Sequence, residues 1–425
     1  MKITILTAGT GSYYCGACMR DNALVKGLRS RGHDAHLVPM YLPLQLDEEK
    51  TKSDEATPVF FGGINVYLQQ KYRLLRSLPA WVDRLFNGNG LLRAVAKRSH
   101  LTDAHEQGEM THIMLKLEES HLGKEIEKLE SWLEGDGKPD VILLSNALLG
   151  GMVSELQRRL GVPIVCAFQG EDVFLDGLPE PWKTKCWEEM ATCVKRADCL
   201  VTSSRFYAQM MEKNLGVTGI EVIPNGIDLE GYEQGIPQNI IGYFARMNED
   251  KGLGLLIDAF IHLRQDPEIQ TRLEIGGTVS GADESYLSLL KEKIAMAGLS
   301  EEVSWHENVS HEEKAAFLKR LGIFSVPAIY PEGFGLYLIE AMACGIPVVM
   351  PRASAFPEII EPYECGLLVE PENPAALAAA WAELLADEPR RISMGKKGRR
   401  AVEDRYHVGA MSESYEKLFR KVVNQ

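Results

Sequence analysis

Short apolar runs alternate with helical patterns along this chain, and the alternation begins a second time near its middle. In the first half, strand-like runs occupy residues 3–6, 35–38, 141–144, 164–168 and 199–202. The second series begins at residues 240–245 and continues at 273–276, 303–305, 323–326 and 348–350. Strands separated by helices pair in parallel. The sequence therefore predicts an α/β protein built from two Rossmann-like, doubly wound parallel sheets.

The length of the chain supports the same division. A chain of 425 residues is too long for one ordinary hydrophobic core. Residues 232–238 are rich in glycine, proline and glutamine, and we interpret them as a linker. The predicted domains are residues 1–236 and 237–407, and a last helical pattern covers 408–423.

Two glutamates, Glu332 and Glu340, flank a glycine-containing turn that leads into a helix. Gly333 and Gly335 allow backbone conformations that other residues avoid, so main-chain N–H groups can approach a ligand. The predicted helix begins near Leu336, and its first N–H groups suit a phosphate. A turn carrying two solvated acids is the simpler interpretation.

Two cations follow the strand predicted at 240–245. Arg246 lies directly after it, and Lys251 precedes the helical pattern that begins near residue 255. Because ligands of doubly wound folds bind at the carboxyl ends of strands, these cations suit a diphosphate. Basic residues at helix starts are also common on plain solvated surfaces.

The order of these features resembles the glycosyltransferase family 4 group of retaining sugar transferases, which have the GT-B fold. The resemblance also rests on Ile-Pro-Asn-Gly-Ile-Asp at 223–228 and Gly-Leu-Leu-Val at 366–369. It implies that both domains face a cleft and that the helix at about 408–425 crosses back onto the first domain. One departure is Ser354-Ala355, where the family often has two glycines.

The resemblance also implies a role for each matched position. Arg246 and Lys251 would hold the diphosphate of a nucleotide-sugar donor, Glu332 would lie beside the sugar, and Glu340 would bind the ribose. The full set of implied donor-binding residues is Gly11, Gly276, Gly277, Gly333, Phe334, Gly335, Leu336 and Glu340. No metal ligand set and no cofactor is expected, because the nucleotide sugar is a co-substrate.

The first half differs from the family on the side that receives the sugar. Asn146 and Gln169 stand where many relatives have histidine, and Asp172 could position an acceptor hydroxyl or simply cap a turn. The main prediction is a retaining transferase that moves a hexose from a UDP-, ADP- or GDP-sugar to an acceptor hydroxyl of a glycan, small molecule or lipid-linked compound. A catalytically weak nucleotide-sugar binder is the alternative, and a sugar-nucleotide epimerase lacks recognisable acid and base residues.

Charge and composition exclude other classes. The net charge of −14 argues against nucleic-acid binding. The motif Gly9-Thr10-Gly11-Ser12 lacks the third glycine and the acidic residue of a nicotinamide fingerprint.

No apolar run is long enough to span a bilayer, and the first one is too short for a signal peptide, so we expect a cytoplasmic protein. Cys15 and Cys18 form a C-x-x-C pair without partners for a zinc site, and we interpret them as small residues in a loop.

Residues 71–98 carry a local excess of basic side chains and an apolar helical face. They could form an interfacial helix that makes peripheral contact with a membrane. A helical hairpin packed on the first domain is the interpretation we favour.

Overall fold

The computed structural model describes residues 1–9, 16–41, 104–117, 123–135, 137–235 and 238–425. Four of the features predicted above lie outside these ranges: Gly11, Cys15, most of the loop that contains them, and the segment 71–98. The described residues divide into two compact units. The first comprises 1–203, 208–223 and 411–425, and the second comprises 204–207 and 224–410.

In the part of the first unit that the structure describes, six strands form one sheet. These are β1 (Lys2–Thr7), β2 (Asp34–Pro39), β3 (Val141–Leu144), β4 (Ile164–Phe168), β5 (Cys199–Thr202) and β6 (Glu221–Val222). The helices described in this unit are α1 (Gly16–Ser30), α2 (Ala104–Leu115), α3 (Gly123–Gly135), α4 (Val153–Leu160), α5 (Glu171–Asp176), α6 (Trp182–Val194) and α7 (Arg205–Leu215), which begins in the second unit. A 3-10 helix covers Ala147–Met152.

All strand pairings in this sheet are parallel, in the order β2-β1-β3-β4-β5-β6. The strands β3 and β4 are buried along their entire length, as expected for parallel strands whose two faces are both covered. The order changes direction between β1 and β3. Doubly wound sheets bind ligands at such a switch point, beyond the carboxyl ends of the strands.

The second unit contains six more strands. These are β7 (Ile240–Phe244), β8 (Arg272–Gly277), β9 (Val303–Glu307), β10 (Ile323–Phe324), β11 (Val348–Pro351) and β12 (Gly366–Val369). Its helices are α8 (Leu253–Leu263), α9 (Glu284–Met296), α10 (His311–Lys319), α11 (Leu336–Ala343), α12 (Phe356–Ile360), α13 (Pro374–Ala386) and α14 (Glu388–Arg405). The last helix, α15 (Val408–Val423), leads into 411–425, which belong to the first unit.

The second sheet is also parallel, in the order β12-β11-β10-β7-β8-β9. Its switch point lies between β7 and β10, because β8 and β9 extend to one side and β11 and β12 to the other. The loops that carry Arg246, Lys251 and Glu332 follow these two central strands. The topology therefore brings them to the edge where a ligand is expected.

The second unit begins earlier in the chain than the predicted domain boundary at 236/237. Residues from Pro224 onward belong to it. Backbone hydrogen bonds explain this, because Ile227 N donates to Tyr406 O (3.0 Å) and Val408 N donates to Ile227 O (2.8 Å). Gly235 N also donates to Cys344 O (3.1 Å). The described part of the predicted linker is thus packed on the second unit.

The prediction of two doubly wound parallel sheets is confirmed, while several element ends differ from it. The strand predicted at 240–245 ends at Phe244, and the strand predicted at 323–326 ends at Phe324. Among the described helices of the first unit, α2, α3 and α5 were not predicted. Within the residues that the structure describes, no helix is both long and apolar enough to cross a membrane.

Candidate functional site

Lys251 and Glu332 meet at the switch point of the second sheet. The Lys251 Nζ lies 2.6 Å from Glu332 Oε2. Their side chains are 18% and 12% exposed, so this is a partly buried ion pair rather than a pair of solvated surface groups. Gly252, which precedes α8, has φ +70°, and a Cβ there would lie 1.8 Å from Pro327 O. A glycine is required at this position because the loop after β7 packs against the chain that follows β10.

Two tyrosines complete the contacts of Glu332. The hydroxyls of Tyr330 (2.9 Å) and Tyr337 (2.8 Å) both donate to Glu332 Oε2. The Lys251 ammonium also donates to the Tyr330 hydroxyl. Burial by itself raises the pKa of Glu332, but the Lys251 charge and the three hydrogen bonds outweigh it and hold that pKa below its ordinary value. Glu332 is therefore an ionised carboxylate in a sheltered position.

Ser354 fixes the main chain of Glu332. Its hydroxyl accepts a hydrogen bond from Glu332 N (3.0 Å), and Ala355 N donates to Glu332 O (3.2 Å). Ser354 has φ +60°, in the left-handed region that favours glycine. The left-handed backbone explains why the family often has glycine here. The serine adds a hydroxyl that holds the main chain of Glu332, a supporting role that the sequence did not reveal.

The turn that leads into α11 is held from its surroundings. The Ser204 hydroxyl donates to Gly333 O (2.6 Å), and Phe334 is almost fully buried. Gly335 has φ +81° and is the N-cap residue of α11, so the N-cap position supplies no side-chain hydrogen bond to this helix. The N–H groups of its first turn, which begins at Leu336, are thus suited to an anion.

Arg246 lies outside the Lys251–Glu332 contacts. Its guanidinium is 52% exposed and pairs with Asp283 at 3.3 Å, with a further contact to the Ser280 hydroxyl (3.4 Å). Asp283 is itself nearly buried and accepts a hydrogen bond from Ser280 N (3.0 Å). The two predicted cations therefore stand in separate clusters after the same strand, one sheltered and one open to solvent.

Glu340 is buried in a second ion pair. Its carboxylate lies 2.5 Å from Lys314 Nζ and accepts a hydrogen bond from the Tyr232 hydroxyl (3.1 Å). The side chains of Lys314 and Glu340 are only 3% and 4% exposed. The simple interpretation of two solvated acids is therefore wrong for both glutamates. Lys314 was missed because a lysine in a polar helical pattern indicates a solvated position.

Gly276 and Gly277 end β8 where it approaches the end of β7. A Cβ on Gly277 would lie 1.7 Å from Ala245 O, and one on Gly276 would lie 2.6 Å from the Phe244 ring. Gly277 also has φ +143°. These glycines allow the close approach of two strand ends beside Arg246, and this is the role that the structure gives them.

The three acceptor-side candidates lie after β3 and β4 in the first unit. Asn146 Oδ1 accepts from Leu148 N (2.8 Å) and caps the 3-10 helix, and Gln169 Nε2 donates to Ser145 O (2.6 Å). Asp172 is nearly buried in the first turn of α5. All three candidates thus stand at the carboxyl ends of two adjacent strands.

Glu171 joins these two loops and was not predicted from the sequence. Its Oε1 accepts from Ala147 N (2.9 Å) and its Oε2 from Gln169 N (2.8 Å). It is almost fully buried, and burial raises its pKa although the backbone N–H donors act in the opposite direction. Glu171 therefore fixes the spacing between the Asn146 and Gln169 loops. The sequence contains no signal for this, since Glu171 lies between more suggestive residues.

Among the residues for which the structure gives coordinates, no three His, Cys, Asp or Glu side chains are grouped as a metal site would require. The charged groups at the second sheet are paired with each other: Lys251 with Glu332, Arg246 with Asp283, and Lys314 with Glu340.

Comparison with solved structures defines the class of fold. Sucrose-phosphate synthase from Thermosynechococcus elongatus superimposes with a TM-score of 0.72 at 19% identity, and the match covers 100% of both chains. The Anabaena protein HepE, solved in complex with UDP, gives a TM-score of 0.67 at 16% identity and covers 99% of this chain and 100% of its own. Together with the two parallel sheets, these likenesses define the GT-B fold.

Family models identify the chain more narrowly. The model described as glycosyl transferases group 1 matches residues 233–401, and the model described as glycosyltransferase family 4 matches residues 61–230. The protein belongs to glycosyltransferase family 4. The resemblance noted from the motifs of the second half is therefore confirmed.

Curated relatives match over part of their length. A D-inositol 3-phosphate glycosyltransferase from Corynebacterium jeikeium is 31% identical, over 48% of this chain and 52% of its own. An MMP alpha-(1->4)-mannosyltransferase from Mycolicibacterium hassiacum is 34% identical, over 43% of each chain. The chain thus spans about half the length of these two relatives. A D-inositol 3-phosphate glycosyltransferase from Pseudarthrobacter chlorophenolicus is 27% identical over 79% of this chain and 84% of its own.

Proposed function

We propose that this protein is a retaining glycosyltransferase that moves a hexose from a nucleotide-diphosphate sugar to the hydroxyl of a sugar, polyol or lipid-linked acceptor. The observation that carries the proposal is the Lys251–Glu332 pair at the switch point of the second sheet, beside the uncapped start of α11. A cation and a helix N-terminus attract a diphosphate. A sheltered carboxylate next to them is suited to accept hydrogen bonds from sugar hydroxyls.

The proposed reaction needs no protein base. In a front-face mechanism, the bond between the anomeric carbon and the diphosphate oxygen breaks while the acceptor oxygen bonds to the same face of that carbon. The departing phosphate takes the proton of the acceptor hydroxyl. The protein then stabilises the charge that develops on the diphosphate and aligns the two substrates. Lys251, Arg246 and the N–H groups at the start of α11 supply that stabilisation, and Glu340 remains the proposed ribose contact.

The neutral amides of the first sheet fit this mechanism. Asn146 and Gln169 cannot act as bases or carry charge. A front-face reaction requires neither property at these positions. The names of the curated relatives include transfer to D-inositol 3-phosphate and mannosyl transfer. By analogy with these names, we propose an acceptor that carries several hydroxyls.

The proposal includes two further expectations. Because cationic side chains and a helix N-terminus stabilise the leaving group, turnover is expected to continue after chelation of divalent metals. We also keep the expected cytoplasmic location. Its support is that none of the cysteines in the described ranges forms a disulfide, as is usual in reducing compartments.

A panel of donors tests the proposal directly. The full chain is heated with UDP-, GDP- and ADP-sugars, and the donor that raises the unfolding temperature is used for turnover. At a hundredfold excess over Kd, the stabilisation is about 2.7 kcal/mol. Release of nucleotide diphosphate is then measured with and without polyol acceptors, and NMR of the product reports whether the anomeric configuration is retained.

Substitution of Lys251 supplies the matched comparison. Lys251→Met is expected to lower donor turnover about 10²- to 10³-fold, the usual loss for one preorganised charge donor. The control is Lys293→Met, which removes a lysine paired with Asp258 on the exposed face of the same unit. Nucleotide binding without turnover in the unsubstituted protein would favour the weak binder instead, and absence of binding by any nucleotide sugar would contradict both functions.

A further inference from the structure

All the hydrogen bonds to the Glu332 carboxylate converge on one of its oxygens. Lys251 Nζ, the Tyr330 hydroxyl and the Tyr337 hydroxyl all lie within 2.9 Å of Oε2. No side chain or backbone group of the described residues donates to Oε1. A carboxylate has lone pairs on both oxygens, so Oε1 keeps its capacity to accept a hydrogen bond.

The two tyrosines are well suited to hold a carboxylate in one orientation. Burial, followed by the nearby Glu332 charge, raises the pKa of Tyr337 well above its ordinary value, so its hydroxyl remains a donor. The Lys251 ammonium lies 4.6 Å from the centre of the Tyr330 ring and 5.2 Å from that of Tyr337. The ammonium thus lies next to both rings, while their hydroxyls hold the carboxylate.

We propose that Tyr330 and Tyr337 are positioning residues, which bind Glu332 through Oε2 and thereby present Oε1 to a hydroxyl of the transferred sugar. This inference rests on the proposed function and adds two residues to it. In this proposal the tyrosines and Lys251 have different roles. The ammonium supplies charge beside the diphosphate, and the phenols fix the direction in which the carboxylate accepts.

Phenylalanine substitutions isolate the hydroxyls from the rings. The Tyr337 ring packs within 3.2–3.3 Å of the position that a Cβ on Gly335 would occupy, and it also contacts the Phe324 ring at a centroid distance of 6.3 Å. Tyr337→Phe keeps these contacts and removes one hydrogen bond. The matched control is Tyr363→Phe. The Tyr363 ring contacts Tyr406 in the same unit, and no role in holding Glu332 is proposed for it.

The first measurement follows Glu332 itself. In the full chain labelled with ¹³C at the glutamate carboxyl, the Glu332 signal is assigned by its loss in Glu332→Gln and titrated with pH. The groups that face Glu332 are Lys251, Tyr330 and Tyr337, with Tyr243 beyond Tyr337. Because the phenols hold the pKa of Glu332 down, its titration midpoint is expected to rise in Tyr330→Phe and in Tyr337→Phe, and further in the double variant. An unmoved midpoint would overturn the inference.

The second measurement is donor turnover. Loss of one hydrogen bond to a charged group predicts a fall in kcat of about tenfold or more, with a smaller change in the donor KM. The acid limb of the pH profile is expected to move to higher pH, whereas Tyr363→Phe leaves both unchanged. A merely structural tyrosine would lower the unfolding temperature without moving either pH midpoint.

The two measurements keep the inference separate from the proposed function. If the unsubstituted protein binds donor but does not turn it over, the proposed function fails, and the carboxyl titration still tests how Glu332 is held. The unsubstituted protein can also turn the donor over while Tyr330→Phe and Tyr337→Phe shift the titration midpoint without lowering kcat. In that case the tyrosines do not position Glu332 for the reaction, and the inference is overturned.

Discussion

The carboxyl ends of the two sheets differ in how their polar groups are satisfied. Beyond the second sheet, ionised side chains contact one another: Lys251 pairs with Glu332 and Arg246 with Asp283. Beyond the first sheet, the polar side chains of Asn146, Gln169 and Glu171 bond to backbone groups of neighbouring loops. One edge thus presents ion pairs, and the other presents loops held in place by amide side chains and the buried carboxylate of Glu171, with Asp172 nearly buried next to it.

This difference matches the two substrates of a sugar transfer. A diphosphate carries negative charge, and its expulsion creates more, so its edge requires cations and aligned N–H groups. An acceptor hydroxyl is neutral and chiefly needs to be aligned. Fixed loops that use few charges are sufficient for that purpose. The absence of histidine at positions 146 and 169 is therefore compatible with activity.

The largest expected effect comes from breaking the charge pairing inside the second unit. Glu340→Gln leaves the Lys314 ammonium buried without its counter-charge, and this is expected to destabilise the fold by about 3–5 kcal/mol. The double variant Lys314→Met/Glu340→Met removes both charges and is expected to be much closer to the original stability, while donor binding is lost. Urea unfolding, together with nucleotide binding, measures both quantities. Equal destabilisation by the single and double variants would contradict a buried ion pair.

The next effect tests the charged edge itself. Glu332→Gln is expected to lower donor turnover about 10²- to 10³-fold, because the amide cannot offer the same acceptor to a sugar hydroxyl or the same partner to Lys251. The matched control is Glu307→Gln. The Glu307 carboxylate lies 2.7 Å from Lys291 Nζ on the exposed surface of the same unit. Turnover of nucleotide sugar in the presence of acceptor compares the two. A loss of activity in the control of similar size would remove the special role of Glu332.

A smaller effect is expected at the first sheet. Glu171→Ala leaves two backbone donors, Ala147 N and Gln169 N, without their acceptor, and the two loops are expected to lose their fixed spacing. Transfer to acceptor should fall at least about tenfold, the loss that one hydrogen bond of this kind already predicts, while hydrolysis of the donor in water stays unchanged. The control is Glu188→Ala, at an exposed position of α6. A parallel loss of hydrolysis and transfer would show that Glu171 acts on general stability.

Sequence patterns predicted the elements at both edges because these patterns are local. Apolar runs gave the strands, and the glycines at 333 and 335 gave the turn before α11. The pairing of the charged groups, in contrast, is not a local property of the sequence. Lys251 and Glu332 are 81 residues apart, and Asn146 and Glu171 lie in different loops. Such contacts follow from strand order, which apolar periodicity does not specify.

Two residues show where a signal existed and was not used. Tyr330 and Tyr337 lie close to Glu332 in sequence, so hydroxyl contacts with its carboxylate could have been considered. Lys314 offered no such signal, since its burial depends on the packing of α10 beside α11. The candidate site residues of the second unit could thus be identified from motifs, whereas the contacts between them could not.

The smallest effect concerns charges of the first unit that lie away from its sheet edge. Glu416 on α15 accepts hydrogen bonds from Arg31 (2.6 Å) and Arg420 (2.9 Å), and these lower its pKa to about 2. Because the pKa is lower in the folded state, its contribution to stability is complete above the unfolded value, about 4.3 for glutamate, and is lost as pH falls toward 2. Glu416→Gln should therefore be slightly less stable than the unsubstituted protein at pH 6 and should match it near pH 2. Urea unfolding at the two pH values, with Glu188→Gln as control, measures this. A difference that persists at pH 2 would show that Glu416 contributes through packing rather than through its charge.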